Sequence, residues 1–206
     1  MQDKKATPDR PTGVTERLCR TIAEIGSDSI PEEAVNVAKR VILDGIAVAI
    51  AGVHEEGPRI AADHIRSLGG TGDSVVLGMG FRANPVSAAL VNGISIHILD
   101  FEPMWMPPTH AVSPSLPSVL AAAEMKKANG REVAAAFVKA CEIQGRLNLA
   151  GKLLAPALLV HHPPGYLGVM GSAVGAGQLL GLSPEQLQNA LGIAASKSAG
   201  LRVNFG

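Results

Sequence analysis

Pro31-Glu-Glu-Ala-Val-Asn-Val-Ala-Lys-Arg-Val-Ile-Leu-Asp-Gly-Ile-Ala-Val-Ala49 decides how the rest of the chain folds. Val35, Ala38, Ile42, Gly45/Ile46 and Ala49 recur at helical spacing, while Glu32, Asn36, Lys39 and Arg40 hold the opposite face. Pro31 suits a first turn, where its missing N–H has no intrahelical partner to lose. Glu32 and Glu33 then stand near the positive end of the helix dipole, which favours anions. Beyond Asp44 the pattern is apolar all round, so the helix runs into the core.

Working outward, helical segments succeed one another on both sides. Val14 to Ile25 makes a short first one, and Gly57 to Leu68 another, closed by Gly69-Gly-Thr-Gly72. Asn84-Pro85 starts a helix that reaches Leu99. Ser113 to Ala128 follows, with Pro114 and Pro117 read as first-turn prolines and Asn129-Gly130 as the end. Glu132 to Ala150 carries Val133, Ala136/Phe137, Ala140/Cys141, Gln144 and Leu147 on one face and Glu132, Lys139, Glu142 and Arg146 on the other. In the small-residue helix Tyr166 to Leu180, Gly171, Gly175 and Gly177 predict close helix packing, since neither a GxGxxG nor a Walker pattern accompanies them. Ser183-Pro-Glu-Gln186 combines a serine cap, a first-position proline and a capping-box glutamine, opening a last helix to about Ala195. The strand signal is confined to Asp73-Ser-Val-Val-Leu-Gly78, with at most a short strand at Ser74 to Leu77. The expected fold is mainly α and multi-helix over residues 14 to 206, preceded by a disordered leader at residues 1 to 13.

Composition agrees with helices. Of 206 residues, 47% are hydrophobic but 3% aromatic, so apolar volume comes from Ala, Val, Ile and Leu packed through close helix contacts. Eighteen basic residues balance eighteen acidic ones without a basic block, so the electrostatic footprint of a nucleic-acid binder is missing and a small molecule is the expected partner. Cys19 and Cys141 belong to no CxxC or Cys/His cluster, which gives disulfide, zinc and iron–sulfur readings no support and makes the cytoplasm the expected compartment. The longest uncharged apolar run, Gly45 to Val53, falls short of the ~20 residues that span a bilayer, so no membrane association is expected.

Chemistry concentrates in His97-Ile-Leu-Asp-Phe-Glu-Pro-Met-Trp-Met-Pro-Pro-Thr-His110. Pro103, Pro107 and Pro108 remove backbone donors and drive the chain out of helix, which places Asp100 near a helix end and returns His110 on an irregular loop. From spacing alone the two read either as a base with its orienting carboxylate or as a loop histidine beside a turn cap. His162 precedes two prolines that stiffen its backbone; it is a positioned ring or a structural loop histidine. His161 and the terminal Lys197 read as ordinary structural and solvated residues.

Leu43-Asp-Gly-Ile-Ala-Val-Ala-Ile-Ala-Gly52, Asn92-Gly93 through Asp100-Phe101, Thr109-His110, Gly130-Arg-Glu132, His162-Pro163 and Gly200-Leu-Arg-Val-Asn-Phe-Gly206 occur in an order and spacing that resemble the MmgE/PrpD family. This family includes 2-methylcitrate dehydratase, cis-aconitate decarboxylase and iminodisuccinate epimerase. The resemblance implies a mainly helical large domain, a smaller α+β lid domain inserted later in the chain, homodimers, and neither a metal nor an organic cofactor. It places the active-site aspartate on Asp100, the loop histidine on His110 and the histidine before proline on His162. His110 is then the proton-transfer residue and Asp100 its orienter. His162 is a second proton-transfer or substrate-carboxylate contact, with Met104 and Thr109 also at the substrate.

Three departures stand out: Glu102-Pro103 where many members have two acidic residues, Met104 where some decarboxylases have threonine, and Ala111 where proline often follows the histidine. The resemblance also implies a continuation past Gly206 into a lysine-containing segment and the lid. The chain is therefore expected to be the incomplete N-terminal part of the fold, with the lid absent and little turnover alone. The leading functional expectation is a 2-methylcitrate dehydratase-like carbon–oxygen lyase acting on a small di- or tricarboxylate. The alternatives are a cis-aconitate decarboxylase-like or iminodisuccinate epimerase-like enzyme, or a truncated non-catalytic module that dimerises.

Overall fold

The computed structural model describes residues 13–69, 71–106, 108–151 and 161–201. Among them, helices α1 (Val14–Glu24), α2 (Glu32–Gly52), α3 (Glu56–Ser67), α4 (Pro85–His97), α5 (Val112–Lys126), α6 (Gly130–Gly151), α7 (Pro163–Leu180) and α8 (Pro184–Lys197) account for most of the chain. Two short antiparallel pairs interrupt them, β1 (Ser74–Val76) with β2 (Phe81–Ala83), and β3 (Met104–Trp105) with β4 (Thr109–His110). The mainly α expectation holds. The leader assigned to residues 1–13 lies outside the described residues except for Gly13, the extended N-cap of α1. No helix among the described residues is long and apolar enough to cross a membrane.

The core forms where α5, α6 and α7 pack on one another, with α4 against α5 and α2 against α4 and α6. Val35, Ala49, Ile96, Leu116, Val119, Phe137 and Ala140 are buried there, and each large side chain fully buried contributes roughly 1.5–3 kcal/mol. Because most of these side chains are small, the helices must come close. A Cβ on Gly171 would stand 2.4 Å from Gln144 Nε2, and one on Gly175 would stand 2.6 Å from Val119 Cγ2, so α7 meets its neighbours backbone-first, as the sequence predicts. The capping box at Ser183 and Gln186 is formed, and α8 adds Leu187 and Leu191 to a second cluster with Cys19, Ile143 and Val174.

Three sequence expectations need correction. Strand structure is not limited to Ser74–Leu77: Ser74 pairs with Ala83 and Val76 with Phe81 across a turn in which Gly78 and Gly80 take positive φ. Phe81-Arg-Ala83 is too short to show alternation, and the two-residue β3 and β4 sit among prolines that limit the ladder. Pro117 is the sixth residue of α5 and lies inside the helix, not in its first turn. Its ring leaves the Ser113 carbonyl without a helical N–H, and Gly93 of α4, whose added Cβ would be 3.3 Å from that oxygen, allows the carbonyl to face the neighbouring helix closely. Lys139, assigned to the charged face of α6 opposite the apolar one, is 6% exposed and donates to the carbonyls of Ile22 and Ile25 and to Gln178 Oε1.

Candidate active site

The site starts at the end of α4. Asn84 caps this helix by accepting from the Ser87 N–H, Pro85 begins it, and His97 closes it. The chain then tightens: Asp100 takes φ +54° and its N–H bonds the His97 carbonyl at 2.9 Å. Left-handed backbone is tolerated by aspartate better than by most non-glycine residues. The reversal sends Phe101 outward, 75% exposed, and turns Glu102 inward, 4% exposed.

Glu102 is tied at both carboxylate oxygens. Oε2 accepts from the N–H groups of Val112 at 3.1 Å and Ser113 at 2.6 Å, the first two residues of α5. Ala111, the N-cap of that helix, has no side-chain oxygen for the job, so the carboxylate supplies the cap and meets the positive end of the helix dipole. Oε1 lies 3.0 Å from His97 Nδ1, in an aligned hydrogen bond, and 3.1 Å from His110 Nδ1. The second contact has the distance but not the direction of a hydrogen bond, and His110 Nδ1 has no aligned partner. The two imidazoles meet edge to face, with centroids 4.7 Å apart and planes at 87°.

His110 returns on β4. Its Nε2 stands 3.3 Å from Asp100 Oδ1, so the ring lies between a buried carboxylate and an exposed one. Across the hairpin His110 pairs with Met104 and Thr109 with Trp105. Side chains alternate along a strand, so Met104, half exposed, shares the face of His110 while Thr109 points to the other. Thr109 is 2% exposed and its hydroxyl has no hydrogen-bond partner among the described residues, which separates it from the histidine face. Behind the hairpin an apolar cavity of about 510 Å³ is lined by Val37, Val41, Met104, Trp105, Val138 and Cys141, without the histidines.

His162 is the N-cap of α7, before Pro163 and Pro164 at the helix start. Its N–H bonds the Gly200 carbonyl at 2.7 Å, which fixes the backbone that the prolines stiffen. The ring lies within electrostatic reach of the other two. Burial first, and then the positive charge of His110 and His97, holds the His162 imidazole below the ordinary histidine range. His97 moves the other way: its bond to Glu102 raises it, burial opposes, and the charges of Glu102 and Asp100 add to the rise. For Glu102 burial is the strongest influence and acts upward, but the bonds from His97 and Ser113 and the charge of His110 together outweigh it and hold the carboxyl below its usual value. Lys197 is exposed at the end of α8, and His161 makes an isolated β-bridge with Leu201.

Asp100 and His110 are therefore brought together, and His162, at the N-cap of α7, lies within electrostatic reach of His110 and His97. His97 and Glu102 complete the cluster; sequence reading noted both without giving either a role. Their signal was the density of titratable groups in this one stretch. His97, Glu102 and His110 place three donor atoms within 4.8 Å of one another, a spacing that a metal ion would also accept. The carboxylate is already oriented by α5 and hydrogen-bonded to His97, with His110 Nδ1 close to the same oxygen but out of line.

A family model described as the MmgE/PrpD N-terminal domain matches residues 16–206. Cis-aconitate decarboxylase from Homo sapiens is 32% identical over 196 residues, covering 93% of this chain and 41% of its own length. The Aspergillus terreus cis-aconitate decarboxylase is 30% identical over 207 residues, covering 98% of this chain and 42% of its own. The chain thus spans about two fifths of the length of these curated relatives.

Proposed function

The chain belongs to the MmgE/PrpD family, and on that premise we propose that it carries the histidine side of a lyase active site for a small di- or tricarboxylic acid, with decarboxylation of a cis-aconitate-like substrate as the reaction. The observation that carries this reading is the placement of His110 between Asp100 and Glu102, with His97 against its edge and His162 within electrostatic reach at the N-cap of α7. Decarboxylation breaks a C–C bond, releases carbon dioxide and leaves its electron pair on carbon, where a proton must be delivered. An imidazolium at His110, oriented by Asp100, is suited to that delivery. His162, held toward its neutral form, is suited to accept a hydrogen bond or proton from the substrate.

Dehydration of the 2-methylcitrate type, the leading expectation from sequence, is the second reading. Met104 favours it, because this side chain shares the face of His110 where some decarboxylases of the resembled family carry threonine. Self-association as a homodimer is also proposed, supported by exposed Leu43, Ile50, Val86 and Leu90.

The test is incubation of the protein, in the longest polypeptide that contains it, with cis-aconitate and separately with 2-methylcitrate, following products by NMR. Carbon dioxide release from the first supports decarboxylation, and water loss from the second supports dehydration. His110→Ala should lower kcat by about 10²–10⁴-fold, the range for a positioned general acid or base. Unchanged turnover in that variant would remove His110 from the chemical step.

A further inference from the structure

We infer that Glu102 is a positioning residue that keeps the Nδ1 hydrogen on both His97 and His110, leaving Nε2 of each ring as the atom where protons come and go. Its bearing on turnover rests on the lyase reading above; the tautomer assignment does not.

A carboxylate only accepts hydrogen bonds. With Oε1 at 3.0 Å from His97 Nδ1 and in line, a bare nitrogen there would set lone pair against lone pair; at His110 Nδ1, 3.1 Å away and out of line, the charge of the carboxylate alone favours the N–H. Glu102 cannot turn away, because the Val112 and Ser113 N–H groups hold its other oxygen. For His110 there is a competing acceptor, Asp100 at Nε2. Asp100 has a side chain 78% exposed, whereas that of Glu102 is fully buried, and water screens the exposed charge far more than the buried one. The buried carboxylate therefore decides the tautomer. The titratable groups facing the pair are Asp100, Glu102 and, at the N-cap of α7, His162. Cys141 on α6, its thiol pushed up to about 12 by burial and by the charges of Glu102 and Glu142, is neutral near pH 7.

The neutral isostere cannot substitute. In Glu102→Gln the amide has one accepting oxygen and one donating NH₂. If the oxygen serves α5, the NH₂ faces two ring N–H groups; if it serves the rings, the NH₂ faces the Val112 and Ser113 N–H groups. Either orientation sets donor against donor.

The experiment is a long-range ¹H–¹⁵N spectrum of the whole protein labelled at histidine, recorded with chelator present and again with one equivalent of zinc. The expected result is Nδ1–H in the neutral form of both His97 and His110, with Glu102→Gln shifting at least one ring toward Nε2–H and lowering the titration midpoint of His97. Nε2–H tautomers at either ring in the unsubstituted protein would overturn the inference without any variant having to fold. So would tautomers that stay unchanged in a folded Glu102→Gln, or zinc displacing hydrogen from Nδ1 of both rings. Where turnover is measurable, Glu102→Gln should lower kcat by at least ~10-fold with KM changed less, as when an imidazole loses its orienting carboxylate. If neither acid turns over while the tautomers are as stated, the lyase reading fails and the positioning role stands.

Discussion

Lys139→Met tests the least expected group in the core. The ammonium is enclosed by α1, α6 and α7, bonding the carbonyls of Ile22 at 2.8 Å and Ile25, and Gln178 Oε1. No carboxylate contacts it among the described residues, and burial lowers its pKa from 10.5 to about 8. Methionine keeps the volume of the stem but leaves three acceptors without a donor. Ile25 is exposed, so its carbonyl can turn to water, while Ile22 and Gln178 are partly buried. Each acceptor left unsatisfied costs about 1–3 kcal/mol, and relief of the buried charge offsets part of that, so a loss of about 2 kcal/mol at pH 7 is expected. The pH dependence gives the sharper test. Between pH 8 and 10.5 the unfolded chain holds a proton that the folded chain has released, so raising pH stabilises the native protein relative to the variant. At ~1.36 kcal/mol for each tenfold change in proton affinity, the gain has an upper bound of about 3 kcal/mol. Urea denaturation of both proteins at pH 7 and pH 10 measures it. A stability difference that does not grow between those two pH values would refute the buried-ammonium reasoning.

The His97–Glu102 pair should stabilise the fold most between about pH 4.5 and 6.5. The depressed Glu102 loses its contribution as pH falls through its folded value, and the raised His97 loses its own as pH climbs through its folded value; denaturation curves of Glu102→Gln should lack both slopes. Gly171→Val would drive a side chain into Gln144 and Ser115, and overpacking of that kind costs typically ~1–3 kcal/mol; an unshifted melting temperature would show that α5, α6 and α7 are looser than described. Cys141, with its thiol raised to about 12, should resist iodoacetamide at pH 8 until denaturant is added, which mass spectrometry of the alkylated peptides reads directly.

Helix positions were legible because apolar spacing, glycine stops and the Ser183–Gln186 box act within a few residues of one another. Asp100 could be placed at a helix end for the same local reason. What sequence concealed depends on distance through space. Phe81–Ala83 becomes a strand only against Ser74–Val76. Lys139 has the helical phase of a surface residue, but the end of α1 covers it. Glu102 looked like a departure beside Asp100. Its partners at Val112 and Ser113 become visible only once the proline-rich hairpin folds back. Thr109 sits one residue from His110, and strand alternation turns it to the opposite face, which adjacency in sequence conceals.

The capping of α5 from ten residues upstream gives the site a built-in gauge. First-turn amides of a helix ordinarily lack acceptors and exchange quickly with solvent. Here the amide hydrogens of Val112 and Ser113 should exchange slowly, because Glu102 holds them, and they are released when its carboxylate lets go. Their protection factors then measure how often the site opens, with no substrate present. A substitution that loosens the hairpin would register at these two hydrogens before any change in the melting of the helices behind it.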